Sequence, residues 1–230
     1  MLDAIIIEPE QPAFGTVIFL HGLNISPKDL SAIVPHMQLL DVRWVLPQAP
    51  TRPITIYGGD VSPAWYDITT LGESAKRETF AHIVESEGLI QQLIEAEIAK
   101  GIPSKNIFLM GYSEGGAMAL HVAHHLDYQL LGVIVMSGYL LQADHFGRGN
   151  LCNRTTPFYF YHGSRDMVVQ IRRGEQAFEA TKDAHPVCRW REYPVGHEIC
   201  LEELREVRFA LHTHFNHVRG TSAPEGDRQK

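Results

Sequence analysis

A single serine between glycines is the first residue of this chain whose surroundings suggest chemistry. Ser113 lies in GYSEGG, with Gly111 and Gly115 at positions i−2 and i+2. The pattern G-x-S-x-G is typical of a serine that a sharp strand-to-helix turn presents as a nucleophile. A glycine-rich turn with an idle serine has the same pattern. The neighbouring sequence favours the nucleophile, because the strand-like NIFLM precedes the serine and the helix-like AMALHVAHHL follows it.

A serine hydroxyl needs a base, and the base needs an orienting carboxylate, before the serine can attack at neutral pH. Asp166 follows the strand-like PFYFYH, and His197 follows the strand-like CRWREY. Serine, acid and histidine in this order are the partners expected after a strand-to-helix nucleophile turn. Two alternatives remain open: Asp166 as the cap of a helix beginning near Val168, and His197 as one surface histidine among 13.

Acyl transfer by a serine also requires two N–H donors for the negatively charged oxygen of the tetrahedral intermediate. The backbone N–H of Glu114 is the first candidate, because it follows the nucleophile directly. The second is the N–H of Leu23, in the HGLN segment after the strand-like TVIFL. Alternatively, His21 and Gly22 simply end a strand.

Strand-like and helix-like segments alternate along the chain, which predicts an α/β fold with a mainly parallel sheet. Most of the strand-like runs are apolar throughout, as in strands covered on both faces, whereas CRWREY alternates and is expected near an edge. The predicted strands are Ala4–Ile7, Thr16–Leu20, Val42–Leu46, Asn106–Met110, Gly132–Met136, Pro157–His162 and Cys188–Tyr193. The predicted helices lie in SPKDLSAIVPHM, SAKRETFAHIVESEGLIQQLIEAEIAKG, SEGGAMALHVAHHL, VVQIRRGEQAFEATKD and EICLEELREVRFALHTHF.

Length and composition indicate one soluble globular unit. The chain has 230 residues, and we expect a single domain over residues 1–218 and a flexible tail over 219–230. A net charge of −7 argues against a nucleic-acid partner, which requires a basic face. No signal peptide or membrane span is visible, and the three cysteines read as free thiols, so we expect a cytoplasmic protein without stable membrane insertion.

These segments together resemble the carboxylesterase, phospholipase and acyl-protein thioesterase family of α/β-hydrolases. The resemblance rests on VIFLHGLN, LPQAPTRPITIYGGDVSPAWYDI, IFLMGYSEGGAMAL, FYFYHGSRDMVV and GHEICLEEL. The long stretch Pro47–Asp67 is the most specific part. Three departures stand out: Glu114 where relatives often have Gln, Asn24 where they usually have Gly, and an atypical second half of MSGYLLQADHFGRGN. We expect the extra carboxylate of Glu114 to disfavour anionic substrates.

The resemblance implies an α/β-hydrolase fold, with helices on both faces of a mostly parallel sheet and no large cap domain. It implies Ser113 as nucleophile, Asp166 as acid and His197 as base, with the amides of Leu23 and Glu114 forming the oxyanion hole. Implied substrates are carboxylic esters of small or medium acyl chains, with lysophospholipids and acyl thioesters as further candidates. No cofactor or metal is implied, and relatives occur as monomers and homodimers.

The stretch Pro47–Asp67 is rich in proline and glycine, and we expect it to form a loop beside the active site. Gly58 and Gly59 are expected to give it a flexible tip. Leu23 and Trp65 are the predicted substrate-binding side chains. For Trp65 the alternative is a buried anchor, because tryptophan mostly buries apolar area.

Three other interpretations were weighed. Helical spacing groups His121, His124 and His125, and further histidines lie near the C-terminus; without an HExxH or paired-cysteine pattern we expect solvated helix faces rather than a metal site. A non-catalytic acyl-ligand-binding protein on the same scaffold would be expected to lack a member of the Ser-His-Asp set, and none is missing. A serine peptidase remains a further enzyme alternative.

Overall fold

The computed structural model describes residues 2–70, 78–141, 151–185 and 187–222. A seven-stranded sheet in the order β1-β3-β2-β6-β7-β8-β9 forms its centre. The strands are β1 Ala4–Ile7, β2 Gly15–Leu20, β3 Val42–Pro47, β6 Ile107–Tyr112, β7 Gly132–Met136, β8 Phe158–Gly163 and β9 Cys188–Tyr193. All neighbours pair in parallel except β1 and β3, which are antiparallel. The predicted sheet is confirmed, with β9 at its edge.

Helices cover both faces of the sheet. They are α1 Pro27–Ser31, α2 Val34–Met37, α3 Phe80–Ala99, α4 Glu114–His125, α5 Ile171–Ala184 and α6 Leu201–Ser222. Alternate residues of β2 enter two separate apolar clusters: Ile18 and Leu20 pack with α3, α4 and α5, while Val17 and Phe19 pack with α1, α2 and α6. Continuous apolar strands are therefore explained by burial on both faces.

The segment predicted as one helix after Ser26 is two short helices. Ser26 is the N-cap of α1, where its side chain and that of Asp29 form a capping box and Pro27 occupies the first turn. A separate helix, α2, begins at Val34. The break follows from Pro35, which has no N–H to donate to the carbonyl of Ser31.

The stretch Pro47–Asp67 is not only a loop, as expected, but contains a small antiparallel hairpin. Its strands are β4 Thr51–Ile54 and β5 Asp60–Pro63, and a 3₁₀ turn at Thr55–Tyr57 follows β4. Gly58 and Gly59 have φ values of 68° and 92°, a region that glycine enters without steric cost. The glycines thus close a defined turn at the tip.

The C-terminal helix α6 extends to Ser222, so the tail boundary expected after residue 218 falls inside a helix. Residues 223–230 lie outside the described part. Within the described ranges, no helix combines the length and apolar character needed to cross a bilayer. No disulfide joins any of Cys152, Cys188 and Cys200, which all lie in the described part of the chain.

Candidate active site

Ser113 occupies a strained turn between β6 and α4. Its backbone has φ 56° and ψ −117°, a conformation that residues other than glycine rarely adopt. Two hydrogen bonds hold it there: Ser113 N–H donates to the carbonyl of Met136 at 2.7 Å, and Ala117 N–H donates to the Ser113 carbonyl at 3.0 Å. Strain of this kind costs about 1–3 kcal/mol and persists only where surrounding structure enforces it.

The flanking glycines are required by close backbone contacts. A Cβ at Gly111 would lie 2.1 Å from the carbonyl oxygen of Gly115, and a Cβ at Gly115 would lie 2.3 Å from that of Leu20. The first contact is with the helix that follows the serine and the second with strand β2. The steric reason expected for the glycines is therefore what the structure shows.

The three side chains predicted to act together meet at the carboxyl ends of the strands. His197 Nε2 lies 2.9 Å from Ser113 Oγ, and His197 Nδ1 lies 2.6 Å from Asp166 Oδ2. A carboxylate at Nδ1 fixes the proton on that nitrogen, which leaves Nε2 to accept the hydrogen bond of the serine hydroxyl. The chain from serine through imidazole to carboxylate is thus complete.

Asp166 contacts His197 and also the turn that follows its strand, but it does not cap a helix, because the N-cap of α5 is Gln170. Asp166 Oδ2 accepts from His197, while its Oδ1 accepts from the N–H groups of Val168 and Val169 at 2.9 and 2.8 Å, in the turn before α5. The helix itself begins later than expected, at Ile171. The two bonds within this turn hold the carboxylate so that its Oδ2 faces the imidazole.

Asp166 is ionised although it is buried. Burial alone would raise the pKa of this carboxyl, but hydrogen bonds from His162 and His197 outweigh it and hold the pKa well below its usual range. His162 Nε2, which donates to the Val169 carbonyl at 2.8 Å, lies 3.5 Å from Asp166 Oδ2. His162 was not predicted from the sequence, where its signal was a position near the end of β8, four residues before Asp166.

The two residues predicted to supply oxyanion donors lie in the same part of the molecule as Ser113. Helix α4 begins at Glu114, and the first amides of a helix have no acceptor inside it, so the Glu114 N–H is available. Leu23 and Glu114 both line the cavity that contains Ser113. Asn24 has φ 60°, the left-handed region where asparagine is tolerated and glycine common, which accounts for the substitution noted in the sequence.

Trp65 does not line the cavity, and the substrate contact predicted for it is a mistake. The side chain is fully buried in the core, and its indole N–H donates to the carbonyl of His21 at 2.9 Å. Burying so large a ring while satisfying its one donor is the usual solution for tryptophan. Trp65 therefore anchors the segment that carries Leu23.

The carboxyl of Glu114 is buried next to Ser113. Its Oε1 accepts from Tyr66 N–H at 2.9 Å. Burial raises the pKa of Glu114 to about 8, against the opposing effect of the Tyr66 and Trp65 amides and of Arg52. The group is thus mostly protonated at neutral pH, and the expected repulsion of anionic substrates does not arise. A neutral carboxyl has the shape and acceptor of the glutamine common in relatives.

A cavity of about 450 Å³ opens beside Ser113 and His197. Its lining is mostly apolar, with Ile56 and Tyr57 from the hairpin turn and Met167 and Val168 from the turn after β8. The full set is Leu23, Ile25, Ile56, Tyr57, Ile68, Tyr112, Ser113, Glu114, Tyr139, Met167, Val168, Val169, Gln170, Arg173 and His197. Residues 142–150, in the atypical part of MSGYLLQADHFGRGN, lie outside the described residues.

Tyr112 supports the histidine and was also missed. Its hydroxyl donates to the backbone carbonyl of His197 at 2.8 Å, and the two rings lie 5.1 Å apart. Because Tyr112 directly precedes Ser113, one backbone segment positions both Ser113 and the loop that carries His197. The sequence signal for this role was an aromatic residue at the x position of G-x-S, directly before the serine.

A model of the phospholipase/carboxylesterase family matches residues 1–215. The chain belongs to this family. Acyl-protein thioesterase 1 of Neurospora crassa is 35% identical to this family member over 202 residues, which are 83% of this chain and 82% of the relative. Acyl-protein thioesterase 1 of Gibberella zeae is 33% identical over 86% of this chain and 89% of its own length.

Solved structures support the same assignment. Arabidopsis thaliana SOBER1 superposes on this phospholipase/carboxylesterase family member with a TM-score of 0.81 and 26% identity, covering 87% of this chain and 98% of SOBER1. Zea mays acyl-protein thioesterase 2 shares the fold, with a TM-score of 0.82 at 23% identity over 94% of this chain and 100% of its own. The protein is a serine hydrolase of the α/β-hydrolase type.

Proposed function

We propose that the protein hydrolyses carboxylic esters of small or medium acyl chains through a Ser-His-Asp triad and a covalent acyl-enzyme. The observation that carries the proposal is the pair of contacts at His197, 2.9 Å from Ser113 Oγ and 2.6 Å from Asp166 Oδ2, at the wall of an apolar cavity. Nucleophile, base and orienting acid in one hydrogen-bonded chain are the arrangement that acyl transfer requires.

In the first half of the reaction, Ser113 Oγ attacks the ester carbonyl while His197 Nε2 takes the hydroxyl proton. His197 then gives that proton to the leaving alkoxide, and the acyl group stays on Ser113. In the second half, His197 removes a proton from water, which attacks the acyl carbonyl. The bond between the acyl group and Ser113 Oγ then breaks, His197 returns the proton to Ser113 Oγ, and the carboxylic acid leaves. Asp166 remains ionised throughout and stabilises the imidazolium formed in each half.

Charge on the tetrahedral oxygen is assigned to the backbone N–H groups of Leu23 and Glu114. Removing one donor of this kind commonly costs about 3 kcal/mol of transition-state stabilisation. Trp65 and the Glu114 side chain act as positioning groups for these donors. Both hold the segment Trp65–Tyr66, one through the His21 carbonyl and one through the Tyr66 amide.

The cavity supports an apolar acyl group as the substrate feature that is recognised. Its volume of about 450 Å³ and its lining by Ile56, Ile68 and Val169 suit a short or medium hydrocarbon chain. The relatives named acyl-protein thioesterase extend the candidate substrates to S-acylated proteins and other acyl thioesters, and the family description extends them to lysophospholipids.

Hydrolysis of p-nitrophenyl acetate and butyrate tests the proposal, with Ser113→Ala as the decisive variant. Alanine removes the nucleophile without adding bulk at a strained turn, so we expect a folded protein with turnover reduced by about 10³-fold or more. Circular dichroism and a thermal melt verify the fold. Substantial turnover by the alanine variant would refute the serine assignment. A wild-type protein silent toward both esters that binds fatty acid tightly would instead support the non-catalytic alternative.

A further inference from the structure

We propose that Glu87, His121 and His125 form a binding site for a divalent transition-metal ion, with Zn²⁺ as the best match. The site lies where α3 packs against α4, outside the cavity that contains Ser113. It is independent of the proposed hydrolysis. Nothing in the hydrolytic chemistry uses these three residues.

The three side chains already converge. His121 and His125 are four residues apart on α4 and therefore lie on one face of that helix. Glu87 reaches them from α3: His121 Nε2 lies 3.1 Å from Glu87 Oε2, and His125 Nδ1 lies 2.9 Å from Glu87 Oε1. One ligand atom from each residue lies within 4.8 Å of the others. Two helices of 20 and 12 residues hold the set, so little ordering is needed on binding.

The donor set and spacing suit zinc. Two imidazole nitrogens and a carboxylate form a ligand set that zinc uses in open sites, with water in the fourth position. Bonds of about 2.0–2.1 Å place neighbouring ligand atoms of a tetrahedral zinc about 3.3 Å apart. The two His–Glu distances are close to that value but reach different oxygens of Glu87, so the three side chains must reorient around the ion when it binds.

Access and charge also favour an ion. The side chains of His121, Glu87 and His125 are 8%, 17% and 36% exposed, so the cluster is enclosed on one side and open to solvent on the other. Burial raises the pKa of Glu87, but hydrogen bonds from both histidines outweigh it and lower the pKa to about 2, so the carboxylate is an ionised ligand at neutral pH. Ligation displaces the protons shared with it, and affinity therefore falls on acidification.

His124 is not a member of this site. It is buried, its Nδ1 lies 3.1 Å from His185 Nε2, and its ring stacks on Phe158. The expectation of solvated helix faces is thus wrong for His124 and for the largely enclosed His121. Histidine spacing alone could not suggest the site, because its third ligand lies 34 residues before His121.

Isothermal titration of the full chain with ZnCl₂, after chelator treatment and removal of any affinity tag, tests the proposal. We expect a single ion per chain with micromolar or tighter affinity and a higher melting temperature with zinc, as for any ligand that binds the folded state alone. His125→Gln and Glu87→Gln should each weaken binding at least tenfold. His36→Gln removes an exposed histidine elsewhere and should leave binding unchanged.

Both variants are expected to fold, because His125 is the most exposed of the three ligands and glutamine keeps a hydrogen-bond acceptor at position 87. Thermal melts in the presence of chelator verify the fold. Cobalt substitution distinguishes a cysteine site, since thiolate ligation gives intense charge-transfer absorption that an imidazole–carboxylate site lacks. Unchanged affinity in both ligand variants, thiolate absorption, or no binding by the wild type would each overturn the proposal.

Discussion

Two buried carboxyl groups belong to the candidate site, Asp166 beside His197 and Glu114 directly after Ser113, and they are in opposite charge states. Asp166 and Glu114 are only 4% and 1% exposed. Burial is the largest influence on both and raises the pKa of each. Yet the pKa of Asp166 is held well below its usual range, whereas that of Glu114 rises to about 8.

The difference teaches that donors, rather than burial, decide the charge of an acid in this site. Asp166 accepts two backbone amides and the His197 imidazole, with His162 close by. Among the described residues, Glu114 accepts hydrogen bonds from amides of the segment Trp65–Tyr66 and is also influenced by the charge of Arg52. One acid is therefore an anion beside His197, and the other is a mostly neutral group that holds the segment Trp65–Tyr66.

Replacing each carboxyl group by its amide gives the largest expected difference in kcat between the two positions. Asp166→Asn removes the anion and disturbs the tautomer of His197, so we expect kcat to fall by about 10³–10⁴-fold. Glu114→Gln replaces a neutral acceptor by another and should stay within about threefold of wild type at pH ~7. Steady-state rates with p-nitrophenyl butyrate measure both; equal losses in the two variants would show that the charge assignment is wrong.

The contributions of Asp166 and Glu114 to the free energy of unfolding should depend on pH with opposite sign. Asp166 has a lowered pKa when folded, so its contribution is present above the unfolded pKa and is lost as pH falls. Glu114 has its pKa raised from 4.5 to about 8, so the folded state holds a proton that the unfolded state releases, and its contribution declines as pH rises between those values.

Urea denaturation at several pH values measures the contribution of Glu114 to stability, with Glu114→Gln as the reference. Relative to that variant, the wild-type free energy of unfolding should fall by about 2 kcal/mol or more from pH ~5 to ~8, since each pKa unit is worth about 1.4 kcal/mol. A difference that stays constant over this range would mean that Glu114 is ionised throughout.

Trp65→Phe tests whether the hydrogen bond from Trp65 to the His21 carbonyl matters for catalysis. Phenylalanine retains most of the buried ring but loses the hydrogen bond to the His21 carbonyl, which loosens the segment carrying Leu23. We expect kcat to fall about tenfold with little change in KM, because a misplaced oxyanion donor acts on the transition state. Trp44→Phe in strand β3, a buried tryptophan that does not line the cavity, is the matched control and should leave kcat unchanged. Equal kcat values in both variants would show that Trp65 has no positioning role in catalysis.

Alkaline pH gives the smallest expected effect. Ionised Glu114 would place a negative charge in low dielectric near the developing oxyanion, so wild-type kcat/KM should fall a few-fold above pH ~8. Glu114→Gln should keep its rate over the same range. If the variant shows the same alkaline fall, another group is responsible.

Features fixed by local sterics and capping could be predicted from the sequence. The glycines around Ser113, the capping box at Ser26 and the edge position of β9 depend on residues close in the chain or on strand periodicity, and the structure has all three. The order of Ser113, Asp166 and His197 predicted their meeting because successive parallel strands end at one edge of the sheet.

Features that depend on distant contacts could not be predicted. The position of Trp65 is set by a carbonyl 44 residues away, and the protonation of Glu114 by burial against a segment 48 residues away. The hairpin β4–β5 was hidden by Pro53 and Pro63, which usually argue against strands but are tolerated in a two-stranded edge pair. Cytoplasmic location and oligomeric state stay predictions.

Trapping the acyl-enzyme tests the central claim, that Ser113 is the nucleophile, most directly. Wild-type protein is mixed with p-nitrophenyl acetate, quenched in acid during the first turnover, digested and mapped by mass spectrometry. The account predicts a burst of p-nitrophenol and an acetyl group on the peptide that contains Ser113, with neither in Ser113→Ala. Turnover with the acetyl group on a different residue, or with the same burst in the alanine variant, would contradict it.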